Sequence, residues 1–134
     1  MREDERYIIN LCDSILSKKA IRQHRFDFLR GDSDRKLPVD AYYPGLNLVI
    51  EFHEIQHAVA VPFFDKKLTV SGVPRGEQRK IYDQRRREIL PRHGIRLIEF
   101  SITDFPHKSR KKLMQIPKED RKIIRDKLHK EKIV

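Results

Sequence analysis

The chain has 134 residues, enough for one domain of ordinary size, and 30 basic against 20 acidic side chains give it a net charge of +10. With 38% hydrophobic and 8% aromatic residues it can bury a modest core, which excludes disorder throughout. No apolar run approaches the ~18 residues of a membrane span, and the acidic N-terminus is not typical of a secretory signal. The single cysteine, Cys12, cannot form an internal disulfide. We therefore expect a soluble, cytoplasmic protein.

The positive charge is confined to the second half of the chain. Residues 1–74 hold eleven basic and eleven acidic side chains, whereas residues 75–134 hold nineteen basic and nine acidic ones. Such asymmetry indicates a polyanionic partner, either nucleic acid or an anionic membrane surface, although a solubilising charged face would look the same.

Apolar spacing predicts seven elements in the order helix, three strands, helix, strand, helix. Ile8, Leu11, Cys12, Ile15 and Leu16 have the spacing of a helix with one buried stripe. Alternation and turn residues indicate the strands, and residues 54–74, which have no clear period, are expected to be irregular. The predicted elements are a helix over Glu5–Lys19, strands at Arg25–Leu29, Val39–Tyr43 and Leu46–Phe52, a helix over Glu77–Leu90, a strand at Ile95–Phe100 and a helix from Pro117.

The second and third strands form a predicted hairpin around Pro44-Gly45. A four-residue connection sets Asp40 opposite Glu51, a two-residue connection leaves them diagonal on one face, and an odd-length connection separates them. In the favoured register one face packs beneath the first helix and consists of Val39, Ala41, Tyr43, Leu48, Ile50 and Phe52. The other face carries both acids.

Two like charges opposed across a hairpin are destabilising, so a compensating charge is expected beside Asp40 and Glu51. A hard divalent cation would provide it, because Mg²⁺ usually takes one or two protein carboxylates together with waters and phosphate oxygens. A nearby Arg or Lys would serve equally well. Composition alone does not favour either explanation.

The pentapeptide His53-Glu54-Ile55-Gln56-His57 suggests a second hypothesis, that the chain binds zinc. It matches H-E-x-x-H, in which two histidines on one helical face bind zinc and the glutamate is the general base, and Glu77 would be a third ligand. The motif needs a helix, but the strand predicted over Leu46–Phe52 runs directly into His53. A zinc-dependent hydrolase is therefore the alternative rather than the leading hypothesis.

The same residues also resemble the PD-(D/E)XK nuclease core, in particular the branch of the very-short-patch-repair endonucleases. The resemblance covers residues 25–100, and its motifs in order are Val39-Asp40, Val49-Ile50-Glu51, Gln56-His57, Asp83, Arg87, Leu90, Gly94 and Phe100. It departs at His53, where the wider superfamily has Lys and the closer branch often has Asp. The fold it implies is a restriction-endonuclease-like α/β core with a small mixed sheet of about four strands flanked by helices.

The resemblance also implies roles for individual residues. Asp40, Glu51 and the backbone carbonyl of Phe52 would bind Mg²⁺ or Mn²⁺. His57 would act near the attacking water, oriented by Asp83, while His53 is a ligand, a base or a spectator. Gln56 and Glu5 are expected to support the site.

The implied activity is metal-dependent hydrolysis of DNA, with RNA as the other substrate class and a catalytically silent nucleic-acid-binding domain as a further alternative. The residues expected to contact phosphates are Arg75, Arg79, Lys80, Arg85, Arg86 and Arg87. Lys108 to Lys112 and the last helix would extend this basic track. The expected division is a nuclease-like domain over 1–105 and a basic helical extension over 106–134.

Overall fold

The computed structural model describes residues 2–54 and 75–134. Their elements are α1 (Glu3–Leu16), β1 (Ile21–Arg30), β2 (Lys36–Tyr43), β3 (Leu48–His53), α2 (Arg75–Arg92), β4 (Arg96–Ser101), β5 (His107–Ser109), β6 (Lys112–Leu113) and α3 (Pro117–Lys130). The mixed α/β class, with three helices and a four-stranded mixed sheet, agrees with the prediction. The short hairpin β5–β6 is an addition between β4 and the last helix.

The four long strands form one sheet in the order β1-β2-β3-β4. β1, β2 and β3 pair antiparallel through short connections, whereas β4 runs parallel to β3. Parallel neighbours need a long crossover, and the chain between β3 and β4 includes α2. The carboxyl ends of β3 and β4 therefore lie at the same edge of the sheet.

Of the two even-length connections considered between β2 and β3, the structure has the four-residue one. Tyr43 pairs with Leu48 and Ala41 with Ile50. Residues 44–46 form a single 3₁₀ turn, and Asn47 then adopts a left-handed conformation with φ 47°. Because asparagine tolerates this conformation, the turn closes without slipping the register.

Two apolar clusters lie on opposite sides of the sheet. The first joins α1 and α3 to the sheet and includes Ile8, Ile9, Cys12, Ala41, Tyr43, Leu48, Ile50, Phe52, Ile124 and Leu128. The second includes Phe26, Leu29, Leu37, Val39, Val49, Leu90 and Ile95. The last helix thus shares a buried cluster with α1.

The expectation that Val39 packs beneath α1 is wrong. Val39 lies in the second cluster and Ala41, two residues later, in the first, so the alternation of β2 breaks between them, where its regular pairing with β3 ends. Gln23 has φ 53°, a left-handed conformation within a strand. Arg22 before it donates to Asn10 and Asp13 of α1, whereas His24 after it stacks on Tyr42 beside the second cluster. Val39 pairs with His24 and belongs to the second cluster as well.

The helices end where local hydrogen bonding favours it. α1 stops at Leu16, earlier than predicted, because Ser17 is left-handed and the N–H of Lys18 bonds back to the carbonyl of Asp13. Gly94, with φ 73°, ends the turn after α2 as expected. Within residues 2–54 and 75–134, no helix has the length and apolarity needed to cross a membrane.

Candidate functional site

One polar residue from each long strand lies in a row across the sheet. Arg22 pairs with Ala41 and His24 with Val39, so Gln23 lies opposite Asp40. The registered pairs of β2 and β3 end at Ala41–Ile50. Asp40 and Glu51 are the next residues, joined by a hydrogen bond, and Glu51 pairs with Glu99 of β4. We call Gln23, Asp40, Glu51 and Glu99 the polar row. It brings together side chains that are far apart in the sequence.

The two acids at the centre of the row are each bonded to the other's strand. The N–H of Asp40 donates to Oε2 of Glu51 over 2.5 Å, and the N–H of Phe52 donates to Oδ2 of Asp40 over 2.8 Å. These carboxylates thus accept from main-chain groups where the regular β2–β3 pairing ends. The predicted juxtaposition of the two acids is therefore present.

Helix α1 adds a third carboxylate from its first turn. Glu5 is hydrogen-bonded to the Asp40 side chain, and Gln23 Nε2 donates to Glu5 Oε2 over 3.1 Å. Partial burial, followed by the negative charge of Asp40, raises the pKa of Glu5 to about 7. This carboxyl group therefore holds a proton more tightly than an ordinary glutamate does.

Glu51 is the most deeply buried acid of the site, at 5% exposure. Burial, and then the charge of Asp40, raises its pKa well above the usual value, while Arg86 opposes this. The guanidinium of Arg86 lies 3.3 Å from Oε1 of Glu51 and 3.2 Å from Oδ1 of Asp83. α2 thus contributes both another buried acid, Asp83, and a cation that partly neutralises the group.

His53 lies at the end of β3 and is held by its neighbour on β4. Its Nε2 is 2.8 Å from Oε1 of Glu99, and Arg87 donates to both oxygens of the same carboxylate. Burial alone would raise the pKa of Glu99, but the hydrogen bonds from His53 and Arg87 hold it at about 2. Glu99 therefore stays ionised and fixes the orientation of the imidazole.

Glu54, directly after β3, is a further acid at this edge. It forms an ion pair of 2.9 Å with Arg2, and its charge contributes to the raised pKa of Glu5. Its Oε1 is buried and has no hydrogen-bond partner in the described part of the chain. An unsatisfied buried carboxylate oxygen is costly unless a ligand, ion or water meets it.

The donor set fits a hard divalent cation. Asp40 and Glu51 offer carboxylate oxygens from adjacent strands, and Phe52 between Glu51 and His53 offers a main-chain carbonyl. Among residues 2–54 and 75–134, no three His, Cys, Asp or Glu side chains are arranged as a metal-binding group. Mg²⁺ does not require one, because it commonly takes one or two carboxylates and completes its shell with water and phosphate oxygens.

The first two residues of the zinc motif are not helical. His53 is the last residue of β3 and Glu54 forms a bend, so these two residues of the motif do not share a helical face. Gln56 and His57 lie outside the described residues, and their predicted roles stay predictions. The imidazole of His53 contacts Glu99 rather than a second histidine in the described region.

The cations of α2 predicted to bind nucleic acid are Arg75, Arg79, Lys80, Arg85, Arg86 and Arg87. Internal hydrogen bonds hold several of them: Arg85 donates to the carbonyl of Arg30, Arg86 to that of Pro38 and Arg87 to Glu99. Lys80 is exposed, Arg79 is half-buried, and the side chain of Arg75 is not described. The contact of α2 with nucleic acid thus stays a prediction. Arg86 itself faces Glu51 and Asp83.

Sequence reasoning missed Glu99 and Gln23. Glu99 carried a weak signal, as a charged residue within the otherwise apolar strand Ile95–Phe100. Gln23 carried none, because its position depends on the pairing of β1 with β2 and on a positive φ.

No protein-family model, curated protein or solved structure matches this chain. What the site does must therefore be inferred from its own geometry and charges. The features that bear on its chemistry are the polar row, the carboxylates of Glu5 and Asp83, and the His53–Glu99 contact.

Proposed function

We propose that the protein is a metal-dependent endonuclease of the PD-(D/E)XK type that hydrolyses phosphodiester bonds of DNA with Mg²⁺ or Mn²⁺. The observation that carries the proposal is the meeting of Asp40 and Glu51, whose carboxylates each accept an N–H from the other's strand. Glu5 bonds to Asp40 from α1. Acids so close to one another favour a site that attracts a cation.

Asp40, Glu51 and the main-chain carbonyl of Phe52 would hold the ion. When bound, a divalent cation polarises the phosphoryl oxygen and makes water nucleophilic at neutral pH. The main-chain hydrogen bonds fix the two carboxylates before any ion arrives. Such prior organisation lowers the cost of binding.

His53 follows Phe52 directly and is our candidate for moving a proton in the site. Because Glu99 remains a carboxylate, the bond between them favours a hydrogen on Nε2, and Nδ1 is then the acceptor nitrogen of the neutral ring. Arg87 holds Glu99 through two hydrogen bonds and so limits rotation of the pair. His57, by the resemblance, would act near the attacking water, with Asp83 as its orienting partner.

One observation favours a second candidate, a catalytically silent nucleic-acid-binding domain. Arg86 is ion-paired with both Glu51 and Asp83 and is itself only 13% exposed. An arginine in this place supplies part of the compensation that a metal would give. In that case the chain would bind DNA and leave it intact.

The experiment that decides between the two is a cleavage assay on supercoiled plasmid and single-stranded DNA, with Mg²⁺, Mn²⁺ or EDTA. We expect nicking with either ion and none with EDTA. Asp40→Asn and Glu51→Gln, which keep size and hydrogen bonding, should lose at least about a hundredfold in rate, since metal catalysis contributes several kcal/mol.

Asp27→Asn is the matched control, because Asp27 is an exposed carboxylate, 84% accessible and paired with Lys36. It should cut at the wild-type rate. Cleavage by Asp40→Asn at the wild-type rate, or no cleavage by the wild-type chain with either ion, would refute the nuclease proposal. Tightly held zinc in the purified protein would instead support the hydrolase alternative.

A further inference from the structure

The β5–β6 hairpin concentrates exposed positive charge. Four of the six residues from His107 to Lys112 are Lys or Arg, namely Lys108, Arg110, Lys111 and Lys112, and none of the six is acidic. All four cations are exposed, and in the described part of the chain none of their side chains has an ion-pair partner. Their charge is therefore available to a partner.

The hairpin is firmly attached to the rest of the protein. Leu113 is 1% exposed in the first cluster, and its N–H donates to Asp4 over 3.0 Å. Gln115 donates to the other oxygen of Asp4 over 2.9 Å. A cationic segment anchored in this way loses little conformational entropy when it binds.

The anchor also places the hairpin beside the candidate site. Asp4, which holds the hairpin, is directly followed in α1 by Glu5, which bonds to Asp40. Consecutive residues have Cα atoms about 3.8 Å apart, and their side chains leave a helix about 100° apart. The hairpin is therefore attached to α1 one residue before the residue that bonds to Asp40.

Neither of the two basic helices offers an equivalent surface. In α2, Arg85, Arg86 and Arg87 are bonded to groups of the protein itself. In α3 the cations alternate with Glu119, Asp120 and Asp126, which weakens the local potential. In the part of the chain that the structure describes, the hairpin combines exposure, a single sign of charge and a rigid attachment.

We infer that the β5–β6 hairpin is the main phosphate-contacting element of this protein and binds the sugar-phosphate backbone of a nucleic acid held across the site. The inference rests on the proposed function for the nature of its partner. The principal phosphate contact is then made by the hairpin and not by α2, where the sequence predicts it. Because the contacts are to phosphates, they give affinity and salt dependence without sequence preference.

Its test is the salt dependence of binding, measured by fluorescence anisotropy with a labelled DNA duplex and a labelled single strand. The parent is the full chain carrying Asp40→Asn, so that cleavage does not interfere. The hairpin variant adds Lys108→Gln, Arg110→Gln, Lys111→Gln and Lys112→Gln. If at least two of these contact phosphates, the slope of log K against log salt falls by about 2 on duplex, and binding at 0.1 M salt weakens roughly 60-fold.

A variant with the same loss of charge is the control. It carries Lys118→Gln, Lys122→Gln, Arg125→Gln and Lys130→Gln on exposed positions of α3, and should change the slope by less than about 1. Equal thermal melting of both variants and the parent would show that the fold is intact.

The outcomes separate this inference from the nuclease proposal. If the two variants lose binding equally, or if the hairpin variant keeps the parental slope, the inference is refuted and the proposed activity is unaffected. If the parent binds no nucleic acid, both this inference and the nuclease proposal are refuted. If the hairpin variant loses binding but the chain with Asp40 intact does not cut, the inference stands and the nuclease proposal fails.

Discussion

Helix α1 carries two kinds of carboxylate with opposite surroundings. Asp13 accepts from the Tyr43 hydroxyl at 2.6 Å, the Ala20 N–H at 3.1 Å and Arg22 at 2.8 Å. Glu5, two turns away, faces the carboxylates of Asp40 and Glu54 and has a raised pKa. An acid that holds the fold together is surrounded by donors, whereas an acid poised for a ligand is surrounded by other acids.

The contrast extends beyond these two residues. We call Asp4 and Asp13 the structural carboxylates, since the hydrogen-bond partners shown for both are donors rather than other acids. The site carboxylates are Glu5, Asp40, Glu51 and Asp83. Substitutions in the two groups should therefore have opposite effects on stability.

The largest effect is expected from the cation among the site carboxylates. Arg86→Leu removes the ion pairs to Glu51 and Asp83 and should lower the free energy of unfolding in EDTA by about 3–5 kcal/mol. Addition of 10 mM Mg²⁺ should restore roughly 1–2 kcal/mol through binding to the folded state. Urea denaturation measures both quantities. Lys80→Met, at an exposed position of the same helix, should show neither change.

Asp13→Ala tests the structural carboxylates. It leaves the hydroxyl of the buried Tyr43 and the N–H of Ala20 without their acceptor, so we expect a loss of about 2–3 kcal/mol. Calorimetry should show a decrease in Tm of roughly 8 °C. Mg²⁺ should not restore it, and recovery with Mg²⁺ would show that Asp13 belongs to the site.

Asp40→Asn should have the opposite effect on stability. The amide oxygen can still accept from the N–H of Phe52, and the negative charge beside Glu5 and Glu51 is removed. We expect stability in EDTA to rise by about 1 kcal/mol while cleavage is lost. A fall in stability comparable with that of Asp13→Ala would contradict the division between the two groups.

The smallest effect concerns pH and Glu5. Its pKa is about 7 in the folded protein and 4.5 at its ordinary value, so the folded state binds the proton more tightly. Stability should fall as the pH rises from about 4.5 through 7, by less than about 1 kcal/mol, because the group is half exposed and solvent screens it. The free energy of unfolding of Glu5→Gln, measured by denaturation across this pH range, should not show this decrease. If the stability of Glu5→Gln fell more steeply with pH than that of the wild type, Glu5 would not be the source of the decrease.

Much of the site could be predicted because it depends on local pattern. Pro44, Gly45 and the flanking alternation indicate the turn, and the register of that turn alone brings Asp40 to Glu51. The position of α2 next to the strands also follows from the parallel crossover.

The rest depends on contacts between distant elements. Helical spacing puts Arg86 near Asp83, but only the packing of α2 on the sheet turns its guanidinium toward Glu51 instead of solvent. The left-handed φ of Gln23 is a property that no side-chain pattern encodes. Glu99 becomes important only when β4 lies beside β3.

The polar row ties the site to the strand pairing of the sheet that joins the most distant segments of the chain. β1, β2 and β3 are consecutive and need only short loops to pair, whereas His53 and Glu99 are 46 residues apart in the sequence. Closing so long a loop is the slow, entropically costly step of forming a parallel pair. A partly folded or nascent chain that ends before β4 therefore holds Asp40 and Glu51 without Glu99. During refolding, the His53–Glu99 contact should form late, and the onset of any activity that needs it would mark completion of the native sheet.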